Sequence, residues 1–138
     1  MERRIVICAS SRHDAALTER VFGSVGIGAI VCGGINELME QLARGAGAIL
    51  VVEELIAGPA LRSLADYVAS QPTWSDIPVL LMTRRGADSV EVQRAVEHLG
   101  NVTLLERPVR AIALIAAARS AIRARERQYQ VRDADHRK

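Results

Sequence analysis

Five short apolar runs recur along the chain: RIVICA (4–9), GAIVC (28–32), AILVV (48–52), PVLLM (78–82) and VTLL (102–105). Each has the length of a strand and is enriched in β-branched or aliphatic residues. None alternates with polar residues as a strand with one wet face would. Strands apolar on both faces need cover on both faces, and the intervening segments carry apolar residues at helical spacing.

Ser10 or Ser11 can cap a helix to about Ser24, with Ala15, Leu17, Val21 and Phe22 on its buried side. In INELMEQLA (35–43), Leu38, Met39 and Leu42 form one stripe, and Gly45 stands where a C-terminal cap belongs. Pro59 suits the first turn of a helix to about Ser70. Val90, Val92, Ala95, Val96 and Leu99 mark a fourth helix ending at Gly100. Pro108 opens a fifth with no internal breaker until well past Tyr129. Five strands alternating with five helices predict an α/β, flavodoxin-like (βα)5 fold: a doubly wound parallel sheet of order 2-1-3-4-5 with an extended C-terminal helix. The expected organisation is one domain over residues 1–124 and a helical extension or linker over 125–138.

With 138 residues, 49% of them hydrophobic and 25% charged, the chain suffices for one cored domain. A net charge of +2 does not argue for nucleic acid, and the basic residues from Arg119 onward read as a solvated helix face. Cys8 and Cys32 follow no CxxC pattern and sit in apolar runs, as core residues of a reduced interior do. No apolar run has the length of a membrane span, and the N-terminal run is too short for a signal peptide. The expected location is the cytoplasm, without membrane insertion.

In a doubly wound sheet the site lies at the carboxyl ends of the strands. Those ends are Ala9 to Arg12, Glu53 and Glu54, Thr83 to Arg85, and Glu106 to Pro108. Taken in that order they resemble the receiver domain of two-component response regulators, over roughly residues 3–124. In LVVEEL, the resemblance puts Glu53 at the position of the phosphoryl-accepting aspartate. PVLLMT carries Thr83 as the hydroxyl, and ERPV has Arg107 where the family has lysine, with Pro108 kept. Ala9 and Ser10 stand where receivers hold two acidic Mg²⁺ ligands, and Leu104 where many have an aromatic switch residue. The resemblance therefore implies a degenerate receiver, without metal or cofactor, that works through protein contacts and is not an enzyme. The alternative is an active receiver accepting phosphate on Glu53 or Glu54. Arginine's planar fork suits a lasting bidentate pair with a carboxylate, so Arg107 is expected opposite Glu53, with Glu54 passive; a register shift of one would exchange the glutamates.

Other chemistries are weaker. SSRHDA is a helix cap and first turn, since neighbours on one turn do not converge as a triad. Cys8 lacks a phosphatase loop, His98 lacks metal-ligand company, and Gly33-Gly34 lacks dinucleotide spacing. Trp74 is expected to plug the gap under a loop.

The last helix can outrun what one sheet needs. A stripe of Ile112, Ile115, Arg119 and Ile122 is expected to face the core. A second stripe, Leu114, Ala117, Ala121, Ala124, Gln128 and Val131, has the spacing of a helix–helix seam and predicts a homodimer. The chain is similar to receiver-like modules at the front of sensor histidine kinases, which implies a histidine kinase or a downstream signalling module as partner.

Overall fold

The structure, a computed structural model, describes residues 2–84 and 89–136. In chain order the elements are β1 (Ile5–Cys8), α1 (Arg12–Gly23), β2 (Ala29–Cys32), α2 (Ile35–Arg44) and β3 (Ala48–Val52). They continue with α3 (Pro59–Ala69), β4 (Val79–Thr83), α4 (Val90–Leu99), β5 (Val102–Glu106) and α5 (Ala111–His136). The five strands form one sheet of order β2-β1-β3-β4-β5, every pairing parallel. That is the order and architecture expected from the apolar runs.

The sheet's two faces define two core layers. Val6, Ile49, Val51, Val79 and Leu81 pack toward α2, α3 and α4, with Leu38, Leu64 and Leu99 among their partners. The alternate residues Ile5, Ile7, Leu50 and Leu80 pack against Phe22 of α1 and Leu114, Ala118 and Ala121 of α5. Successive side chains of a strand point to opposite faces, so one uninterrupted apolar run serves both layers. Phe22 is wholly buried, a contribution of about 1.5–3 kcal/mol from burial alone. At Gly47 a Cβ would come within 2.8 Å of the Arg3 carbonyl oxygen, so only glycine lets β3 start this close to the N-terminal segment.

The helix ends follow the sequence signals. Ser11 is the N-cap of α1 and accepts from the Asp14 amide at 3.1 Å, Pro59 opens α3, and Gly100 closes α4 at φ 77°. The SSRHDA segment is therefore a cap and first turn.

The rotation of α5 differs from expectation. Ile112 is 70% exposed, whereas Leu114, Ala118 and Ala121 are buried. The core stripe runs Leu114, Ala118, Ala121, Arg125, Tyr129, at spacings of four, three, four and four. Three members of the expected dimer seam, Leu114, Ala117 and Ala121, thus pack on this chain's own sheet, and Ala124 is half-buried. Gln128 donates to and accepts from the Asp76 backbone, at 2.7 Å each way. Val131 alone of the seam is largely exposed. Of the stripe expected to face the core, Ile122 does pack against this layer and Ile115 is half-buried, so the buried face is turned toward the small side chains of Ala118 and Ala121 without excluding Ile122.

The helix also stays docked past the expected boundary at 124. The buried Arg125 guanidinium donates to the Ala46 carbonyl (3.2 Å), Ser75 Oγ and Gln128 Oε1 (2.7 Å each). The Tyr129 hydroxyl contacts the carbonyls of Glu2 and Ala46, each at 2.8 Å. Trp74 lies 5.9 Å from the Tyr129 ring, and Arg125 and Arg132 each stand 5.4 Å over its face. Trp74 fills the space between its loop and α5, as the plug reading requires.

Candidate functional site at the carboxyl ends of the strands

β3 ends at Val52 and turns at once into one 3₁₀ turn, Glu53–Leu55. Such a turn advances three residues per revolution, so adjacent side chains diverge by about 120°. The two glutamates consequently go to different neighbours. Glu53 is 7% exposed and turns toward the start of α4. Its Oε1 accepts from the Arg84 amide at 2.5 Å and its Oε2 from the Ser89 hydroxyl at 3.2 Å. Ser89 is also the N-cap of α4, accepting from the Val92 amide, so Glu53 ties β3 to that helix start.

Glu54 turns toward β1 and β5. Arg107 grips it with both terminal nitrogens: Nη1 donates to Oε2 at 2.9 Å, and Nη2 makes a shorter bond to Oε1. Ser10 Oγ donates to Oε2 at 3.3 Å, and Arg84 Nε reaches Oε1 at 3.4 Å. Thr83 sets Arg107 in place from behind. It lies opposite Glu106 in the β4–β5 register, and its carbonyl accepts from the Arg107 amide (2.9 Å) and from Nε (3.1 Å). The Arg107–Pro108 peptide is cis.

The expected Glu53–Arg107 pair is thus corrected: the partner of Arg107 is Glu54, the residue expected to be passive. The 3₁₀ turn is the physical reason, because it swings the second glutamate, and not the first, across the sheet's end. Arg107 and Ser10 hold the Glu54 carboxylate in place, with Arg84 as a looser third contact. Hydrogen bonds from Arg107 hold the Glu54 carboxyl below the usual carboxylate range, assisted by the charge of Arg107 and by Ser10 and Arg84. The same pair raises Arg107.

A hard divalent cation needs several oxygen ligands free to bind it. After β1 come Ala9, whose side chain has no ligand atom, and Ser10, whose hydroxyl already serves Glu54. Both oxygens of each glutamate are engaged. The residues at this end do not fit a Mg²⁺ site. Among the described residues no cluster of three or more His, Cys, Asp or Glu side chains could hold a metal ion.

Ser10, Thr83, Arg107 and the glutamates come together at the strand ends, and Arg84, within the expected Thr83 to Arg85 segment, joins them; Ser89 lies outside the expected set. A signal for Ser89 existed in its position just before the fourth helical segment, as an N-cap. Arg84 follows directly from the β4 end; its amide bond to Glu53 carries no residue-type signal, because any residue there except proline would supply the same N–H. Arg85, grouped with the β4 end, lies outside the described residues. Cys8 and Cys32 are register partners on β1 and β2, both buried and free; burial pushes the Cys32 thiol up to about 11. His98 is exposed on α4. No described helix is long and apolar enough to cross a membrane.

No family model and no curated protein matches the sequence. Solved structures do. The adenylate cyclase from Rhodopirellula baltica superposes with a TM-score of 0.79 at 13% identity, over the whole of both chains. NtrX from Brucella abortus, in complex with ADP, gives 0.76 at 16% identity, covering 95% of this chain and 28% of NtrX. The signal receiver domain of an HD domain-containing protein from Pseudomonas fluorescens Pf-5 gives 0.72 at 18% identity, over 92% and 97%. At these identities the likeness is one of fold. The chain has the fold of response-regulator receiver domains.

Proposed function

We propose that this chain is a receiver-like signalling module of a two-component pathway that takes no phosphoryl group and acts through protein contacts. The observation that carries this reading is the bidentate Arg107–Glu54 pair across the strand ends. It fixes a negative charge and its counter-cation where a transferred group and its metal would need open ligands. Glu53 is buried, and its two oxygens are occupied. In-line attack needs a free, oriented oxygen, which neither glutamate presents. The module has no catalytic residue in this reading and works in the cytoplasm, as the front module of a sensor histidine kinase or beside a separate one.

Its contact surface surrounds the edge strand β5. Ile112 is 70% exposed, Leu104 49% and Val96 39%, on α5, β5 and α4 respectively. A homodimer through the final helix then uses the outward side of its first turns in place of the buried Leu114–Gln128 stripe.

Incubation with a small acyl phosphodonor and Mg²⁺, followed by intact mass, tests the function. An unchanged mass is expected. A phosphoryl increment lost on Glu53→Gln or Glu54→Gln would establish the active receiver instead.

A further inference from the structure

A cavity of about 710 Å³ opens beside the Glu54–Arg107 pair, between α1 and the Arg107–Pro108 segment. Its volume lies in the range of small-molecule sites, roughly 300–1,000 Å³. Leu50, Val52 and Met82 form the floor, and Leu17 of α1 stands 44% exposed at the wall. Its polar lining residues are Asp14, Thr18, Glu54, Arg84 and Arg107. Arg107 and Glu54 there neutralise one another, which leaves Arg84 and Asp14 to set the character of the opening.

The Arg84 side chain is 68% exposed, and its ion pair with Glu54 is a single contact at 3.4 Å. Glu54 is held more closely by Arg107, so Arg84 can turn to an incoming anion without opening the bidentate pair. A guanidinium fork matches a planar carboxylate. Asp14 also lines the cavity and opposes any second negative charge. Apolar floor, one available guanidinium and one opposing carboxylate together select for a single anionic head on an apolar body, and against a polyphosphate.

We propose that this cavity binds a small amphipathic monocarboxylate, with its apolar body over Leu50, Val52 and Met82 and its carboxylate on Arg84. As an input to the module the site rests on the reading that the strand ends take no phosphoryl group; binding itself is tested without phosphodonor, so either idea can fail alone.

The full chain is titrated with octanoate, 1-octanol and pyrophosphate while methyl NMR shifts are followed. Octanoate is expected to give saturable shifts at the Leu17, Leu50, Val52 and Met82 methyls, and to bind more tightly than 1-octanol. Pyrophosphate should not compete. Arg84→Gln, at an exposed side chain, should weaken octanoate about tenfold and leave 1-octanol unchanged. Leu17→Gln, also exposed, should weaken both. The proposal is overturned by the absence of these shifts up to roughly 10 mM octanoate. Equal binding of octanoate and 1-octanol to the native chain, or octanoate binding indifferent to Arg84→Gln, overturns it as well.

Discussion

Arg107 and Glu54 face one another across the end of the sheet, guanidinium against carboxylate, with both nitrogens engaged. The pair sits between β3 and β5 although β4 lies between those strands, so it bridges over the Thr83 end of β4. Its side chains are 29% and 23% exposed, which places it between a surface pair and a buried one.

A double-mutant cycle on these residues should show coupling. Arg107→Ala and Glu54→Ala are each expected to destabilise the fold, and the double variant to cost less than their sum, by about 1 kcal/mol. The same cycle run on Arg107 and Glu53 should be close to additive. Glu53→Ala should cost about 1–3 kcal/mol on its own, because it strands the Arg84 amide and the Ser89 hydroxyl. Urea denaturation of the six proteins measures both cycles.

Acid should release the Glu54 pair. Its folded-state pKa is depressed, first by hydrogen bonds from Arg107, so its contribution is fully present above the unfolded value of about 4.3. That contribution disappears as pH falls through the folded value. Thermal melts from neutral to acidic pH should show a fall in Tm below about pH 4.3 that is shallower in Glu54→Gln. Equal pH slopes would remove Glu54 from the account.

Truncation after Ala124 should damage the domain and not merely shorten it. It removes Arg125 and Tyr129, with their bonds to Ala46, Ser75 and Glu2, and takes the aromatic and cationic cover off Trp74. A lower Tm and a red-shifted Trp74 emission are expected. Tyr129→Phe should be milder, about 1 kcal/mol, since it deletes the hydroxyl and keeps the ring.

Sedimentation should find a concentration-dependent dimer that Ile112→Glu abolishes without lowering Tm, because the side chain is exposed and outside the core. A monomer at every concentration would refute the assigned surface.

The strands and most helix ends were legible because each rests on a local signal: a doubly apolar run, Ser11 before α1, Pro59 at the head of α3, Gly100 after α4. The alternation implied a parallel sheet, and the order 2-1-3-4-5 came with the flavodoxin-like form of the doubly wound fold. Two features were not legible, both for want of a local signal. EE after a buried strand leaves open which carboxylate crosses the sheet, and the answer lies in a three-residue turn that tertiary contacts impose. In α5 the isoleucine stripe meets the core only at its later members, Ile122 above all, while Ile112 is exposed and Leu114, Ala118 and Ala121 are buried; small alanines give a sequence little sign of which face is covered. Arg125 reads as solvent-facing from sequence, because the aromatic rings and carbonyls that enclose it leave no local mark.

The Tyr129 hydroxyl, which meets the Glu2 and Ala46 carbonyls together, gives α5 a fixed angular setting relative to the sheet. A helix fused in register after His136 would inherit that setting, like a shaft keyed to its wheel. Each residue inserted at the junction would turn the fused segment by about 100° and advance it by about 1.5 Å, so a series of one- to four-residue insertions would sweep an attached reporter through one full revolution about the domain.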